Sequence, residues 1–128
     1  MKLLDTCFLI DLQREAWKHR TGIAVEFLKQ NASVPLAISV ISATEFLEGF
    51  ESFEKGEVFL RPFQWIGIDS RISKEAAKIR RFLRLSGKMI GDFDILIAAT
   101  ALVYEATLVT QNASDFDRIQ DLQLETYR

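Results

Sequence analysis

The sequence predicts an α/β protein with a central parallel sheet and helices on both faces. Three observations lead there. Short apolar runs alternate with longer stretches of helical periodicity along the chain. The runs are apolar throughout rather than alternating, as expected of strands covered on both faces. The length of 128 residues, 48% of them apolar, suits one domain spanning residues 1–128 with a substantial core. No repeat, low-complexity tract or linker interrupts it.

The elements follow in order. Lys2–Asp5 is a short buried strand. Residues 6–13 and 20–31 have helical character, with Ile23, Ala24, Phe27 and Leu28 at helical spacing and Pro35 ending the region. Leu36–Val40 is a second strand. A helix opens at Ser42 and runs to Phe53, with Ala43, Phe46, Leu47 and Phe50 on one side. Phe63–Ile68 is a third strand, and Asp69 or Ser70 caps a helix reaching Leu85, whose stripe is Ile72, Ala76, Ile79 and Leu83. Gly87 and Gly91 punctuate a loop. Asp92 starts the most apolar helix, expected to be buried on several sides. Thr107–Thr110 is a fourth strand, and a helical turn over 114–119 and a strand at Leu122–Thr126 close the chain.

Composition excludes several function classes. The formal charge of -2 gives no global attraction to nucleic acid or anionic lipid, so a polyanion needs a local basic patch or a metal. Cys7 is the only cysteine, which rules out an intrachain disulfide and fits a cytoplasmic setting; its apolar neighbours place it in the core. His19, the only histidine, lies in the polar run WKHR, leaving Ser-His and Cys-His catalysis without a candidate. Asp5 and Asp11 break the apolar opening MKLLDTCFLIDL, which argues against a signal peptide, and no stretch has the length and apolarity of a membrane span.

Four acidic motifs stand out: LLDT at Asp5, ISATEF at Glu45, GDFDILIAATA at Asp94 and LVTQNASDF at Asp115. Each acid has an ordinary structural explanation. Asp5 could cap the helix that follows. Ser42 and Glu45 have the spacing of a capping box. Asp92 could be an N-cap with Asp94 in the first turn, and Asn112 could cap a turn containing Asp115. As a set they fit a different explanation. In a parallel sheet, Asp5, Glu45 and Asp115 follow strand carboxyl ends, where α/β sites form. A helix antiparallel to the next strand brings Asp94 to the same edge. Convergent carboxylates raise one another's pKa unless a cation lies among them, and hard oxygen donors suit Mg²⁺ or Mn²⁺ rather than zinc.

These motifs resemble the PIN-domain ribonucleases, most closely the VapC-like toxins of type II (VapBC) toxin–antitoxin pairs, over essentially the whole chain. LLDTCFLIDL resembles the family's opening strand and first acid, and SVISATEFLEG its second motif. GDFDILIAATAL is the most specific segment: the family's third acid stands three residues before Ile-Ala-Ala, here Asp94. LVTQNASDFDRI resembles the closing strand and turn. Some members carry the fourth acid where this chain has Asn112; the Asn-x-x-acid-Phe pattern assigns it to Asp115.

The resemblance implies the three-layer PIN-like fold and Mg²⁺-dependent cleavage of RNA phosphodiester bonds, with Mn²⁺ as the alternative ion. Asp5, Glu45, Asp94 and Asp115 would be the catalytic and metal-holding residues. Thr6 would assist beside the first acid, and Asn112 would support Asp115. Whether one or two ions bind, and what Asp92 does, stay open. On the residues alone, Lys74, Lys78 and Arg81, with Arg80, Arg84 and Lys88, form a cationic face: either a solvated surface or an RNA-contacting rim. Phe82 and Leu85 beside it could serve a homodimer. The stretch from Phe46 to Trp65 is rich in aromatics, most of them explained by core packing. By resemblance a groove near these helices would receive a VapB-like antitoxin, whose basic side chain would enter the acidic cleft. Two other functions compete: a PIN-like binding module acting mainly with a DNA-binding partner, and a receiver-like phosphoacceptor domain, disfavoured because no lysine follows the Thr107–Thr110 strand.

Overall fold

The computed structural model describes residues 1–128. Five strands form one sheet in the order β3-β2-β1-β4-β5, and every pairing is parallel. They are β1 (Lys2–Leu4), β2 (Leu36–Ser39), β3 (Gln64–Ile66), β4 (Thr107–Val109) and β5 (Leu124–Glu125). Register is set by Leu3 opposite Ala37 on one side and opposite Leu108 on the other. Seven helices connect them: α1 (Thr6–Trp17), α2 (Ile23–Gln30), α3 (Val40–Glu48), α4 (Phe53–Leu60), α5 (Ser70–Ser86), α6 (Asp92–Val103) and α7 (Ala113–Phe116).

The two-residue period of the strands divides the core into two layers. Leu3, Ala37, Ile66 and Leu108 face α5, α6 and α7, where Ile72, Leu83, Ile95 and Phe116 are buried against them. Leu4, Ile38 and Val109 point the other way, toward α1, α2, α3 and α4 with Phe8, Leu9, Phe27 and Phe46. Both strand faces are covered, which is why the runs carry no polar alternation. Each fully buried leucine or phenylalanine contributes about 1.5–3 kcal/mol.

Local chemistry explains most boundaries. The α5 stripe of Ile72, Ala76, Ile79 and Leu83 is buried as its spacing predicts. Asp69 Oδ1 accepts from Ile72 N at 3.0 Å to start this helix, and Gly87 ends it at φ 68°, a conformation glycine adopts without strain. At one end Arg80 Nε donates to Asp92; at the other the Arg71 guanidinium lies 5.5 Å from the Tyr104 ring centre. The α5–α6 pair is therefore antiparallel. The first turn of α2 is capped from a distance: Glu15 accepts from the backbone N–H groups of Gly22, Ala24 and Val25 at 2.8–3.0 Å.

Several boundaries differ from those the sequence predicts. The expected helix from Ser42 to Phe53 is two helices. The first begins at Val40, capped by Ser39, whose Oγ accepts from Ile41 N at 3.0 Å. It stops at Gly49, and Ser52 caps the separate helix α4. Helix α1 runs on to Trp17, and α2 is shorter than expected. Phe63 is buried and Phe59 half-buried, whereas Phe53 and Trp65 are exposed. No helix is long and apolar enough to cross a membrane.

Candidate active site

Asp5 follows β1 directly and is 3% exposed, the most buried acid of the chain. Its Oδ1 accepts from Thr6 N at 2.8 Å, and its Oδ2 accepts from Thr110 Oγ1 at 2.7 Å. The pairing of β1 with β4 makes this contact, because Asp5 N donates to Val109 O and so fixes Thr110 alongside. Burial pushes the Asp5 carboxyl above its ordinary value, with the hydrogen bonds from Thr110, Thr6 and Cys7 acting against that rise.

Glu45 reaches the same edge from α3, which leaves β2 without a loop. Its Oε1 accepts from Thr6 Oγ1 at 2.7 Å. The capping box expected of Ser42 and Glu45 does not form. Ser39 takes the cap, so Ser42 falls inside the helix, fully buried and without a hydrogen-bond partner. Glu45 is one turn farther along and free to face Thr6.

Asp94 lies in the first turn of α6, behind an N-cap that is Gly91 rather than Asp92. Burial, then the negative charges of Asp5, Glu45 and Asp115, push its carboxyl from 3.8 up to about 6. Asp94 therefore lies near enough to the other three acids to feel their charge. Asp115, in α7, is half exposed, and Arg118 Nη2 stands 3.8 Å from its Oδ1. Asn112 makes no side-chain cap; its backbone N–H donates to Thr110 Oγ1 at 3.0 Å. Asp92 is exposed and paired with Arg80 at 3.0 Å.

The donor set is all oxygen, which suits Mg²⁺ or Mn²⁺. Asp5, Glu45 and Asp94 have no lysine or arginine partner, although Asp92 and Asp115 each do. A divalent cation would supply the missing compensation. No three of these carboxylates lie within ligating range of one point.

Of the cationic face on α5, Arg80 pairs with Asp92, and Arg81 and Arg84 are exposed farther toward the C-terminal end of the helix. Lys74 is about 9 Å back along the axis from Arg80, and Lys78, between them, pairs with Glu75 at 3.9 Å. Two participants escape sequence reasoning. Thr110 holds Asp5, and the only signal for it is a hydroxyl residue at a strand end. Cys7, expected in the core, is half-buried with Sγ 3.5 Å from Asp5 Oδ2 and 3.6 Å from Thr110 Oγ1.

The PIN domain family profile matches residues 2–122. Ribonuclease VapC1 of Methanocaldococcus jannaschii is 32% identical over 84% of this chain and 83% of its own. Ribonuclease VapC19 of Mycobacterium tuberculosis is 32% identical over 96% of this chain and 98% of its own. Among solved structures, VapBC2 from Rickettsia felis, bound to a DNA fragment from its promoter, superimposes with a TM-score of 0.85 at 28% identity, covering 99% of this chain and 98% of that one.

Proposed function

Starting from the chain's membership of the PIN-domain family, we propose that it is a Mg²⁺-dependent endoribonuclease and the toxin of a toxin–antitoxin pair. The observation that carries this reading is the gathering of Asp5, Glu45, Asp94 and Asp115 at one end of a parallel sheet, where burial and then the charges of the other three push Asp94 up to about 6. Asp5, Glu45, Asp94 and Asp115 are its catalytic and metal-holding residues. A bound divalent cation supplies a Lewis acid that activates water and offsets charge on the phosphoryl oxygens.

The protein's own contribution is positioning. Thr110 and the Thr6 N–H fix both oxygens of Asp5. The Thr6 hydroxyl holds Glu45, so one residue orients two acids. A cation held among the acids would offset the burial and like charge that push the Asp94 carboxyl up, and would keep it ionised as a ligand. Asn112 buttresses the β4 end through Thr110. Arg81, Lys78 and Lys74 form a phosphate-contacting rim in order of increasing distance from the edge, with Arg80 and Arg84 on the flank nearest Asp92.

A VapB-like antitoxin is the proposed partner, in the cytoplasm. Its seat is the apolar groove between α1, α2 and α4, lined by Leu12, Ala16, Val25, Leu28, Phe59 and Pro62. An adjoining groove past Gln13, Trp17 and Phe50 reaches Glu45, giving a basic antitoxin side chain a route to the acids. Phe82 and Leu85, 54% and 78% exposed on α5, suit a homodimer contact. The reading is tested by incubating purified protein with single-stranded RNA. Cleavage should require Mg²⁺ or Mn²⁺, stop with EDTA and be lost in Asp94→Asn. Metal-dependent cleavage surviving in a clean Asp94→Asn preparation defeats it.

A further inference from the structure

A second basic cluster lies on the other side of the sheet from α5. Cys7, Asp11, Arg14 and Lys18 stand at successive i+4, i+3 and i+4 steps of α1, forming one stripe along the helix. The stripe starts beside the acids, where Cys7 touches Asp5, and reaches Arg14 about 10 Å along the axis. Arg14 shares a concavity with Glu45 and a neighbouring one with Lys18, Arg20 and Arg128.

Asp11 is the pivot of this cluster. It accepts from Tyr127 Oη at 2.6 Å, which ties the residues after β5 to α1. Arg14 Nη1 is 4.0 Å from one of its oxygens and Arg128 Nη1 is 3.6 Å from the other. These distances are too long for closed bidentate pairs. The guanidiniums are held near one carboxylate but keep most of their donors for something else, and their side chains are 68% and 49% exposed. Glu15, the other acid there, is spent on three backbone N–H groups. Four cations face two occupied carboxylates on a chain of net charge -2.

We infer that Arg14 and Arg128, set by Asp11 and Tyr127, form a subsite for the sugar–phosphate backbone of single-stranded RNA leaving the acidic edge on the α1 side. The inference rests on the ribonuclease reading. Arg80 and Arg118 flank the same edge from the α5–α6 layer through Asp92 and Asp115. The strand then crosses the sheet edge, held by cations from both layers, with the repelling acids between them.

The test uses full-length protein carrying Asp94→Asn, a fluorescein-labelled single-stranded RNA of mixed sequence, and anisotropy titrations across NaCl concentration. Arg14→Gln/Arg128→Gln should weaken binding about tenfold at low salt and flatten the log K against log[salt] slope by about 1.4, the value for two lost single-strand phosphate contacts. Lys29→Gln/Arg61→Gln makes the same change in net charge at the opposite sheet edge and should leave the slope alone. Arg14→Gln by itself should flatten the slope by about 0.7 and covers the case in which the double variant does not fold. An unchanged slope, with wild-type protein cleaving RNA, overturns the subsite while sparing the ribonuclease reading. Affinity lost only for an antitoxin segment, with RNA binding intact, also overturns it. If the wild-type chain neither binds nor cleaves RNA, the ribonuclease reading itself fails and the subsite falls with it.

Discussion

Replacing Asp94 with asparagine removes one of four neighbouring carboxylates and keeps the shape of the side chain. Burial and like charge disfavour the ionised form of Asp94 in the fold, raising its pKa from 3.8 to about 6. At about 1.4 kcal/mol per tenfold change in acidity, the rise corresponds to about 3 kcal/mol. Asp94 is only half-buried, so solvent screening reduces this to about 1.5 kcal/mol. The sign follows from proton uptake. Between pH 3.8 and 6 the folded chain keeps a proton that the unfolded chain has lost. The penalty is therefore full above about pH 6 and absent below the ordinary value. Asp94→Asn should stabilise the metal-free protein by about 1.5 kcal/mol at pH 7.5, about 5 °C in Tm for a chain of this size, while abolishing cleavage. Urea unfolding in EDTA from pH 4 to 7.5 reads the effect, and the gap should close toward pH 4. Mg²⁺ should stabilise the wild type by mass action and the variant less. A variant no more stable than wild type at pH 7.5, or a gap independent of pH, refutes the reasoning.

Other substitutions test the frame around the acids. Thr110→Val keeps the volume but strips the donor from Asp5 Oδ2; unfolding should show a loss of about 1–3 kcal/mol, coupled to Asp5→Asn in a double-mutant cycle. Glu15→Ala frees three N–H groups at the start of α2, and a loss of about 1–2 kcal/mol should appear in urea unfolding. Ser39→Ala should cost about 1 kcal/mol as a lost cap, whereas Ser42→Ala should be neutral or stabilise by about 0.5–1 kcal/mol because it removes an unpartnered buried hydroxyl. The reverse order would restore Ser42 as the cap.

The sheet was legible because its signals are local. Apolar runs of strand length and the α5 stripe each report their own burial, and Gly87 reports its own turn. The break between α3 and α4 was not legible, since Phe46, Leu47, Phe50 and Phe59 keep an apolar pattern through it. The rings of Phe46, Phe50 and Phe59 pack together across the two helices, Phe46 and Phe59 with centres 5.2 Å apart. Periodicity registers the shared cluster and not the change of axis. The long-range ties of Thr110 to Asp5 and Tyr127 to Asp11 span 105 and 116 positions, beyond any motif spacing.

Capping and chemistry are not rival explanations for the acids. Asp5 does both: one oxygen caps α1 and the other meets Thr110. Capping places it at the strand end, and burial there makes its charge expensive enough to require compensation. Glu45 shows the converse. Its capping partner Ser42 is displaced by three residues, from Ser42 to Ser39, and that shift leaves the carboxylate to Thr6. Asp94 and Asp115 sit in first turns where a helix dipole favours an acid, yet neither makes a capping hydrogen bond. A helix dipole accounts for an acid at these positions, but not for one whose carboxyl is pushed up to about 6. An acid kept at Asp94 against burial and three neighbouring carboxylates, where an asparagine would serve the fold better, points to a cation and a substrate that the fold alone does not need.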